Sequence, residues 1–574
     1  MKLSDFVMRY LRDAGVKVIF GYQGGSITHL IESMSFAEIE YIQTYNEQGA
    51  AMAADAYARI NENGLGVAIA SNGPGATNLI TGIANAYCDS VPTLFMTGQV
   101  HTWAMKKDKQ IRQKSFQEID IISIVKPITK YAVTVMKPNE IRFELEKAIH
   151  IAKQGRKGPV LLDIPVDIQG TDIEPEWLTG YSSGAEHDIE YRSQNDYSEC
   201  INLLRKAKRP VVLVGGGANS RQAKYCIRRF SEKYHIPVVC SLQGLDVMNH
   251  DSKEFIGFIG SFGNRYANLV VHNSDLVLVL GSRLDMRQTG KNAEKFTERA
   301  TIIHVDIDEN ELNHNVNETL SYSGSCESIL SFLIENFERE EGFTCWLDLC
   351  NEWKQRYTES LPINQFISSV GQSIADSTIV ISDVGQNQMW VAQSLRIKGE
   401  CIRMLNSGGL GAMGYSLPGA IGACIGSDYS KCVALMGDGG IQMNIQELCL
   451  IGQRQLPIII IVLNNHALGL IRDIHEKYYN NHCIGSVEGF TQPQFKMMAA
   501  AYNIQYYQVD ESASEKEIKD ILACEGPCLV DVHMLGNTYV NPELIGMDAL
   551  DNQTPYLEKI EKLRITKEVE KNDN

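Results

Sequence analysis

Short, almost purely apolar stretches alternate along this chain with longer ones in which apolar residues recur every three or four positions. Val16–Tyr22, Gly66–Ala70, Thr93–Thr97 and Val160–Ile164 are a first group of the short kind. Val211–Val214, Leu276–Leu280 and Ile302–Val305 form a second group. Ile379–Ser382, Val433–Met436, Ile458–Leu463 and Leu529–Val532 form a third. Runs rich in Val, Ile and Leu without polar alternation are what parallel strands require when helices cover both faces of their sheet. The periodic stretches between them read as helices. The first is opened by Ser4 as a cap and closed by Gly15. Strand–helix alternation with glycines at the strand ends predicts an α/β protein built of doubly wound parallel sheets.

Two polar, aperiodic segments divide the pattern. Residues 170–195 read as a linker, and residues 338–345 (EREEGFTC) as a second break. The expected blocks are 1–170, 190–338 and 350–540, followed by a tail of 541–574. The end of that tail, from Asp551, is charged and is expected to fray. A chain of 574 residues accommodates three such blocks.

Composition narrows the chemistry. The apolar fraction of 44% and charged fraction of 21% exclude a disordered or fibrous chain. A net charge of −17 repels a phosphate backbone, so nucleic acid is not an expected partner. The longest apolar run, Leu456–Leu463, is far short of the roughly 18 residues of a membrane span, so no membrane association is expected. The start, MKLSDFVMRY, is too polar for a secretory signal, and the 14 cysteines are scattered without a CxxC pair. Reduced thiols in the cytoplasm are the expectation.

The most specific feature follows Met436. A buried strand ends there, the chain turns on Gly437-Asp438-Gly439-Gly440, and a helix is expected to follow through Arg454. Glycines let backbone amides approach a phosphate, and the helix N-terminus adds its positive end. Asp438 offers Mg²⁺ a hard oxygen. The next strand ends at Asn464-Asn465, and parallel strands deliver their C-terminal ends to one sheet edge. Asp438 and Asn465 are thereby expected at one metal. In the first block, Glu47 opens an alanine-rich helix. Gly21-Tyr-Gln-Gly-Gly25 and Ser71-Asn-Gly73-Pro-Gly-Ala-Thr-Asn78 supply glycine loops at the same sheet edge. A glycine-walled pocket around a carboxylate suits a flat heterocycle. Gly409-Leu-Gly411-Ala-Met413-Gly414 is literally GxGxxG, but the acidic residue a nicotinamide site would need is already used in the GDG motif. His475-Glu-Lys-Tyr-Tyr479 lacks the second histidine of a zinc-protease helix.

Taken together, GYQGG, YNEQGA, SNGPGATN, Ser115-Phe-Gln-Glu118, GPVLLDIP, DVGQNQMW, SGGLGAMGYSLPGA and the GDG–NN span resemble the acetolactate (acetohydroxyacid) synthase-like branch of the thiamine-diphosphate enzymes. The resemblance covers residues 1–535. It implies a pyrimidine-binding, a central and a diphosphate-binding domain, with the cofactor held between two subunits of a homodimer or homotetramer. It implies Glu47 at the aminopyrimidine ring, Gly411 and Met413 holding that ring, and Gly25 and Gly73 in its pocket. It further implies Gly385, Gln386, Asn387, Gly437, Gly439 and Gly440 at the diphosphate, and Asp438, Asn465 and the Ala467 carbonyl at Mg²⁺. Gln117, beside Phe116, matches the substrate channel, and Arg287 matches the arginine that binds the carboxylate of a second 2-oxo acid. The family also implies a regulatory subunit as a further partner. In the synthases the central domain holds FAD. Here Gly215-Gly-Gly217 would serve either a dinucleotide or a mere turn.

The chain departs from the synthase pattern at several points. Ile474 stands in place of a tryptophan, Met286 of an aspartate and Ser261-Phe262 of a Met-His pair. Val166 replaces a lysine, Asn387 a histidine and Ser325 an aspartate, and NPELIGMDALDNQTPYL lacks the usual C-terminal pattern. These changes leave open a thiamine-diphosphate-dependent decarboxylase, C–C hydrolase or lyase of a surface-polysaccharide or secondary pathway. The joint presence of Glu47, Asp438 and Asn465 argues against a non-catalytic scaffold.

Overall fold

Three six-stranded sheets, parallel throughout, take up the apolar runs. The computed structural model describes residues 1–108, 110–182, 196–297, 299–398, 403–534 and 538–573; the second half of the expected linker, 183–195, lies outside them. The first sheet holds β1 (Val18–Gly21), β2 (Glu40–Gln43), β3 (Gly66–Ala70), β4 (Thr93–Gln99), β5 (Tyr131–Thr134) and β6 (Val160–Pro165). The second holds β7 (Pro210–Val214), β8 (Val238–Cys240), β9 (Phe255–Phe258), β10 (Leu276–Leu280), β11 (Thr301–Asp306) and β12 (Leu320–Ser323). The third holds β13 (Ile379–Ser382), β14 (Arg403–Asn406), β15 (Cys432–Gly437), β16 (Ile458–Asn464), β17 (Gln505–Asp510) and β18 (Cys528–His533).

The orders are β2-β1-β3-β4-β6-β5, β12-β11-β10-β7-β8-β9 and β14-β13-β15-β16-β18-β17. Counted within each sheet, the first and third share one topology, 2-1-3-4-6-5. The second reads 3-2-1-4-5-6, the dinucleotide-binding order. Ligands of such sheets bind beyond the strand C-termini where the winding reverses. Those points fall between β1 and β3, between β7 and β10, and between β13 and β15.

The first and third sheets meet through two helices, Glu47–Ile60 and Ser416–Gly426. Ala50, Ala51, Ala53, Ala54 and Ala56 are fully buried, because the first helix is covered by its own sheet on one side and by the second helix on the other. A Cβ at Gly422 would lie 1.9 Å from the Ala53 carbonyl oxygen, and one at Gly66 would lie 1.9 Å from that of Ala54. Only small residues permit backbones this close.

Three local expectations are corrected. The first helix is Leu3–Asp13 with Lys2 at its N-cap, and Ser4 sits inside it, fully buried, accepting a hydrogen bond from Ser33. Gly15 does close the helix, with φ +87°. After Gly440 the chain forms a kinked 3₁₀ segment, Ile441–Glu447, and the α-helix begins only at Leu448. The kink is at Asn444, whose amide donates to the Gly414 carbonyl instead of continuing the helix.

The tail does not fray. Lys559–Asp573 is a helix whose charges find partners on the body. Glu568 accepts from Trp353 Nε1 at 2.9 Å and from Arg356 at 3.0 and 3.1 Å, Tyr357 donates to Glu561, and Lys208 reaches the Asp573 carbonyl at 2.6 Å. Among the described residues no helix is long and apolar enough to cross a membrane.

Gly422→Ala should lower the thermal midpoint. The methyl costs on the order of 1–3 kcal/mol of overpacking, more than the ~1 kcal/mol of helix propensity it adds. Scanning calorimetry checks this, and an unchanged midpoint would mean the two helices part without penalty.

Candidate functional site

At the winding reversal of the third sheet, β13 runs through Asp383 and Val384 into Gly385, the N-cap of the Gln386–Ser394 helix. Gly385 has φ +138°, and a Cβ there would meet Asn387 Oδ1 at 2.7 Å. Asn387 is buried and donates to the Asp383 carbonyl at 2.7 Å. Gly437 lies across from it; a Cβ at Gly437 would be 3.5 Å from the same Oδ1. Two glycine strand ends and a helix N-terminus thus converge, with backbone N–H groups available to an anion.

Asp438 sits in this floor with 1% exposure. Its Oδ1 accepts from Gly439 N at 3.0 Å, while Oδ2 is buried without a hydrogen-bond partner among the described residues. Burial pushes its carboxyl up to about 7, even though backbone N–H groups of Gly439, Ala467 and His466 face it and pull the other way. Asn465 joins it from the end of β16. Its Nδ2 donates to Gln386 Oε1 at 3.0 Å, and its Oδ1 accepts from Ala467 N at 3.2 Å. Gln386 also donates to the Thr538 carbonyl at 3.2 Å. Among the described residues no group of three or more His, Cys, Asp or Glu side chains is placed to hold a metal ion. The candidate centre offers one carboxylate, one amide and backbone carbonyls, which is the donor set of a hard cation that keeps water or phosphate ligands.

The loop between β14 and the Ser416–Gly426 helix faces the same floor. A Cβ at Gly439 would lie 3.7 Å from Met413 Cε. Gly411 has φ +70° and open space around it, since a Cβ there would meet only Val384 at 4.0 Å. Asp383 pins the far end of this loop, accepting from Gly414 N, Ser416 N and Ser416 Oγ at 2.9 Å each. Asp383 was not singled out by the sequence reading, although it opens the DVGQN motif; a carboxylate immediately after a buried strand is the signal that could have found it.

The GxGxxG string does follow a strand and precede a helix. However, β14 is an edge strand, away from the reversal, and the space beside Gly409 is filled by Cys88 and Asp89. No dinucleotide crevice exists there.

At the reversal of the first sheet, Glu47 is 8% exposed. Its Oε2 accepts from Asn78 Nδ2 at 2.9 Å, and a Cβ at Gly75 would lie 3.1 Å from its Oε1. Gly73, with φ +61°, makes room for the Gln117 backbone, and Asn72 donates to the Gln117 carbonyl at 3.2 Å. Gln117 itself has φ +61°, a conformation that a residue with a side chain rarely adopts. Glu118 holds the surrounding loop by accepting from Lys106, Lys114 and Ser115 N–H groups at 2.6, 2.9 and 3.0 Å. Gly25 is exposed, with nothing within 4 Å of a Cβ, so packing does not demand it.

Within one chain no hydrogen bond or ion pair links the Glu47 side chain to Asp438 or Asn465 among the described residues. The two regions are tied indirectly. Glu447, a second residue the sequence reading missed, accepts from Tyr45 N and Asn46 N at 3.0 and 3.1 Å, and burial pushes its carboxyl up to about 7.

The reversal of the second sheet opens into a cleft of about 540 Å³, lined by Gly216, Gly217, Ser282, Arg283, Asp306 and Arg287 among others. The loops after β7 and β10 touch, since a Cβ at Gly217 would lie 2.8 Å from Gly281 Cα. Gly216 is less constrained, with Gln243 at 3.1 Å. Arg287 is exposed at this cleft. Its N–H donates to Asp285 and its carbonyl accepts from Ser261 N at 2.7 Å, while its guanidinium has no partner among the described residues.

Two sheets of equal topology each end in a glycine-lined polar pocket, and a third sheet has the dinucleotide order. Comparison with known proteins gives the class. Residues 1–124 match the N-terminal TPP binding domain of thiamine pyrophosphate enzymes, 197–333 their central domain and 383–532 their C-terminal TPP binding domain. The chain is 32% identical over 565 residues to the acetolactate synthase large subunit of Lactococcus lactis, covering 96% of each chain. It is 36% identical over 541 residues to that of Cyanidium caldarium, covering 90% of each. To the acetolactate synthase isozyme 2 large subunit of Escherichia coli it is 33% identical over 539 residues, covering 93% of this chain and 95% of the other. The chain belongs to the thiamine pyrophosphate enzyme family.

Asp438 yields a stability prediction for the cofactor-free protein. Its folded-state pKa lies above the unfolded value, so its ionised form destabilises the fold. That penalty is fully present above about pH 7 and fades as pH falls toward ~4. Asp438→Asn should therefore raise the thermal midpoint at pH 8, by a free energy on the order of a few kcal/mol, and the gain should shrink on acidification. Equal midpoints at pH 8 would refute the assignment of a strained carboxylate.

Proposed function

We propose that the protein is a Mg²⁺-dependent 2-oxo acid decarboxylase and carboligase that, in the manner of its acetolactate synthase relatives, condenses decarboxylated pyruvate with a second 2-oxo acid. The observation that carries the reading is the orphaned carboxylate oxygen of Asp438 in the glycine floor of the third sheet. A divalent cation there restores the ionised form that burial opposes. Asp438, Asn465 and the Ala467 carbonyl would hold Mg²⁺. Gly385, Gln386, Asn387, Gly437, Gly439 and Gly440 would hold the diphosphate, with the N-terminus of the Gln386–Ser394 helix beside it.

Bound thiamine diphosphate would supply a nucleophilic thiazolium C2 and, in the cationic ring, a sink for the electron pair left behind when carbon dioxide departs. The chain's part is positioning and proton control. Glu47, fixed by Asn78, holds a proton at the ring nitrogen of the aminopyrimidine, and a buried carboxylate stabilises that cationic ring. Gly411 and Met413 orient the ring, with Gly25 and Gly73 leaving room beside it. Gln117 and Phe116 border the substrate path. Arg287, with its unpaired guanidinium, fits the carboxylate of the second acid as a two-pronged donor.

A second copy of the chain completes each site, so the active form is a homodimer or homotetramer. Phe116, 85% exposed, and Trp103, 72% exposed, lie on the loop that such a copy would cover. The relatives named large subunits support a regulatory partner. The dinucleotide order of the second sheet and the cleft at its reversal support FAD, with Gly216 and Asp306 toward it. The described cysteines are all unpaired, in keeping with the cytoplasm.

Exposed Ile474 and Met286 favour a second reading, the same cofactor chemistry with a different acceptor. Purified protein with thiamine diphosphate, Mg²⁺ and pyruvate separates the two. Acetoin after acid treatment is expected; acetaldehyde would make it a simple decarboxylase, and no turnover would demand another donor. Glu47→Gln should bind the cofactor yet exchange its C2 proton at least ~100-fold more slowly, measured by NMR. Visible flavin bands in the purified protein are expected, and their absence would remove FAD from the proposal.

A further inference from the structure

We propose that Asp89, at the end of the Ile80–Cys88 helix of the first sheet, is a positioning residue for Leu410–Met413 of the third. The inference rests on the reading of Gly411 and Met413 as holders of the cofactor ring, and extends that site to residues that do not touch it.

The segment from Ser407 to Tyr415 connects β14 to the next helix and contains four glycines, at 408, 409, 411 and 414. Gly411 and Gly414 have φ +70° and +81°. A chain this rich in glycine has much conformational freedom to lose, so its working shape must be imposed from outside. Asp383 of the third sheet imposes it at one end, through Gly414 and Ser416.

The other end is held by the first sheet. Asp89 Oδ1 accepts from Gly409 N at 2.7 Å and Oδ2 from Gly408 N at 3.1 Å. Ser407 Oγ donates to Asn85 and accepts from Ala412 N at 2.8 Å, which closes the loop upon itself. Side chains are excluded at both glycines. A Cβ at Gly409 would lie 2.8 Å from Cys88 Cβ, and one at Gly408 would lie 2.1 Å from Gln243 Nε2. Between the two anchors only Leu410, Gly411 and Met413 are left to face outward, Leu410 with 41% exposure.

Asp89 is itself fixed. Its side chain is 2% exposed, and Arg59 Nη2 donates to its Oδ2 at 3.0 Å while Arg59 Nη1 donates to the Asn406 carbonyl at 3.1 Å. Arg59 Nε lies 2.8 Å from Asp55 Oδ1 as an ion pair without hydrogen-bond alignment. Asp55 also accepts from Tyr415 OH at 2.7 Å and from Asn85 Nδ2 at 3.3 Å. Charge-assisted bonds between largely buried groups are strong and directional; on their open side Arg59, Asp89 and Gly408 line the cleft at the reversal of the second sheet. Asp55 and Arg59 lie on the helix that begins with Glu47, so one rigid rod, about 18 Å from Glu47 to Arg59, carries the acid of one site of the assembly and steadies the loop that serves the other.

The test compares wild type with Asp89→Ala, Asp89→Asn and Ser407→Ala. In cofactor-free Asp89→Ala, amide hydrogen exchange over 406–414 should speed up on the order of tenfold, while the Glu47–Ile60 helix and Gly66–Ala70 strand keep their protection. Thiamine diphosphate, with Mg²⁺, should bind more weakly, and at saturation its C2 proton should exchange up to ~100-fold more slowly, the cost of about an ångström of misplacement. Asp89→Asn, which keeps one acceptor, should fall between the two. Wild-type exchange over 406–414 together with wild-type cofactor affinity would overturn the proposal. So would exchange accelerated across the whole first sheet, which would make Asp89 a general stability residue. Should Asp89→Ala fail to fold, Ser407→Ala leaves the Arg59 pair intact and carries the same test at Ala412, with unchanged exchange there counting against it. The Glu47→Gln variant keeps the two readings apart. If it exchanges C2 like wild type, the site reading fails; if it is slow while Asp89→Ala is normal, only this inference fails.

Discussion

Everything functional here depends on how closely the Glu47–Ile60 helix packs on the Ser416–Gly426 helix. The contact is backbone against backbone, with Gly422 opposite the Ala53 carbonyl and alanines along the buried face. Contacts between small residues have few rotamers and little slack, so the interface fixes the angle and distance of the two sheets more tightly than longer side chains would. Glu47 stands at the start of one helix, and the Met413 loop runs into the start of the other. A shift at the interface would move Glu47 and the Gly411–Met413 loop together, and the polar network of Asp55, Arg59 and Tyr415 is built across it.

The three sheets show a division of labour that follows from winding alone. The first and third repeat the same order, so their pockets open at equivalent places, one offering a carboxylate and the other an anion floor with a candidate cation site. The second has the dinucleotide order, and its cleft lies at its own reversal. The tail joins the second and third. Leu544 N donates to the Ser261 carbonyl, Gln553 is buried against Gly263, and Lys477 bridges Asp473 and Glu543. Because Ser261 N bonds the Arg287 carbonyl, the segment that departs most from the synthase pattern is also the one that braces the proposed acceptor arginine.

What could be read from the chain and what could not divide on physical grounds. The eleven runs read as strands are strands, and most are buried on both faces. Six of the seven strands not foreseen are sheet edges: β2, β5, β9, β12, β14 and β17. An edge strand is paired on one side only, and several of these are partly exposed, as in Glu40–Gln43 and Gln505–Asp510, so polar residues break the apolar run. The seventh, β8, is only three residues long. The tail misled for a related reason, since its charges are matched by Arg356, Lys208 and Trp353, residues remote in sequence. The glycine loops were legible because their chemistry is local. Asp89, Asp383 and Glu447 were not, because their meaning lies in amides up to 402 positions away.

Buried carboxylates on so acidic a chain must each be reconciled with burial, and the way each is reconciled separates scaffold from site. Asp383 takes backbone amides on both oxygens, Glu118 takes three, Glu447 takes two, and Asp89 takes two amides and a guanidinium. Each of these serves as a clamp, converting the cost of a buried charge into a fixed loop. Asp438 differs from these because its second oxygen has no hydrogen-bond partner among the described residues, although backbone N–H groups of Ala467 and His466 face the carboxylate. Leaving that oxygen unpaired costs stability, and the cost falls at the point where the winding reversal, two glycine strand ends and a helix N-terminus converge. Net charge is a property of the surface. Glu359 Oε1 is likewise buried without a partner among the described residues, so an unpaired oxygen alone does not mark a site; at Asp438 it coincides with glycine strand ends and a helix N-terminus.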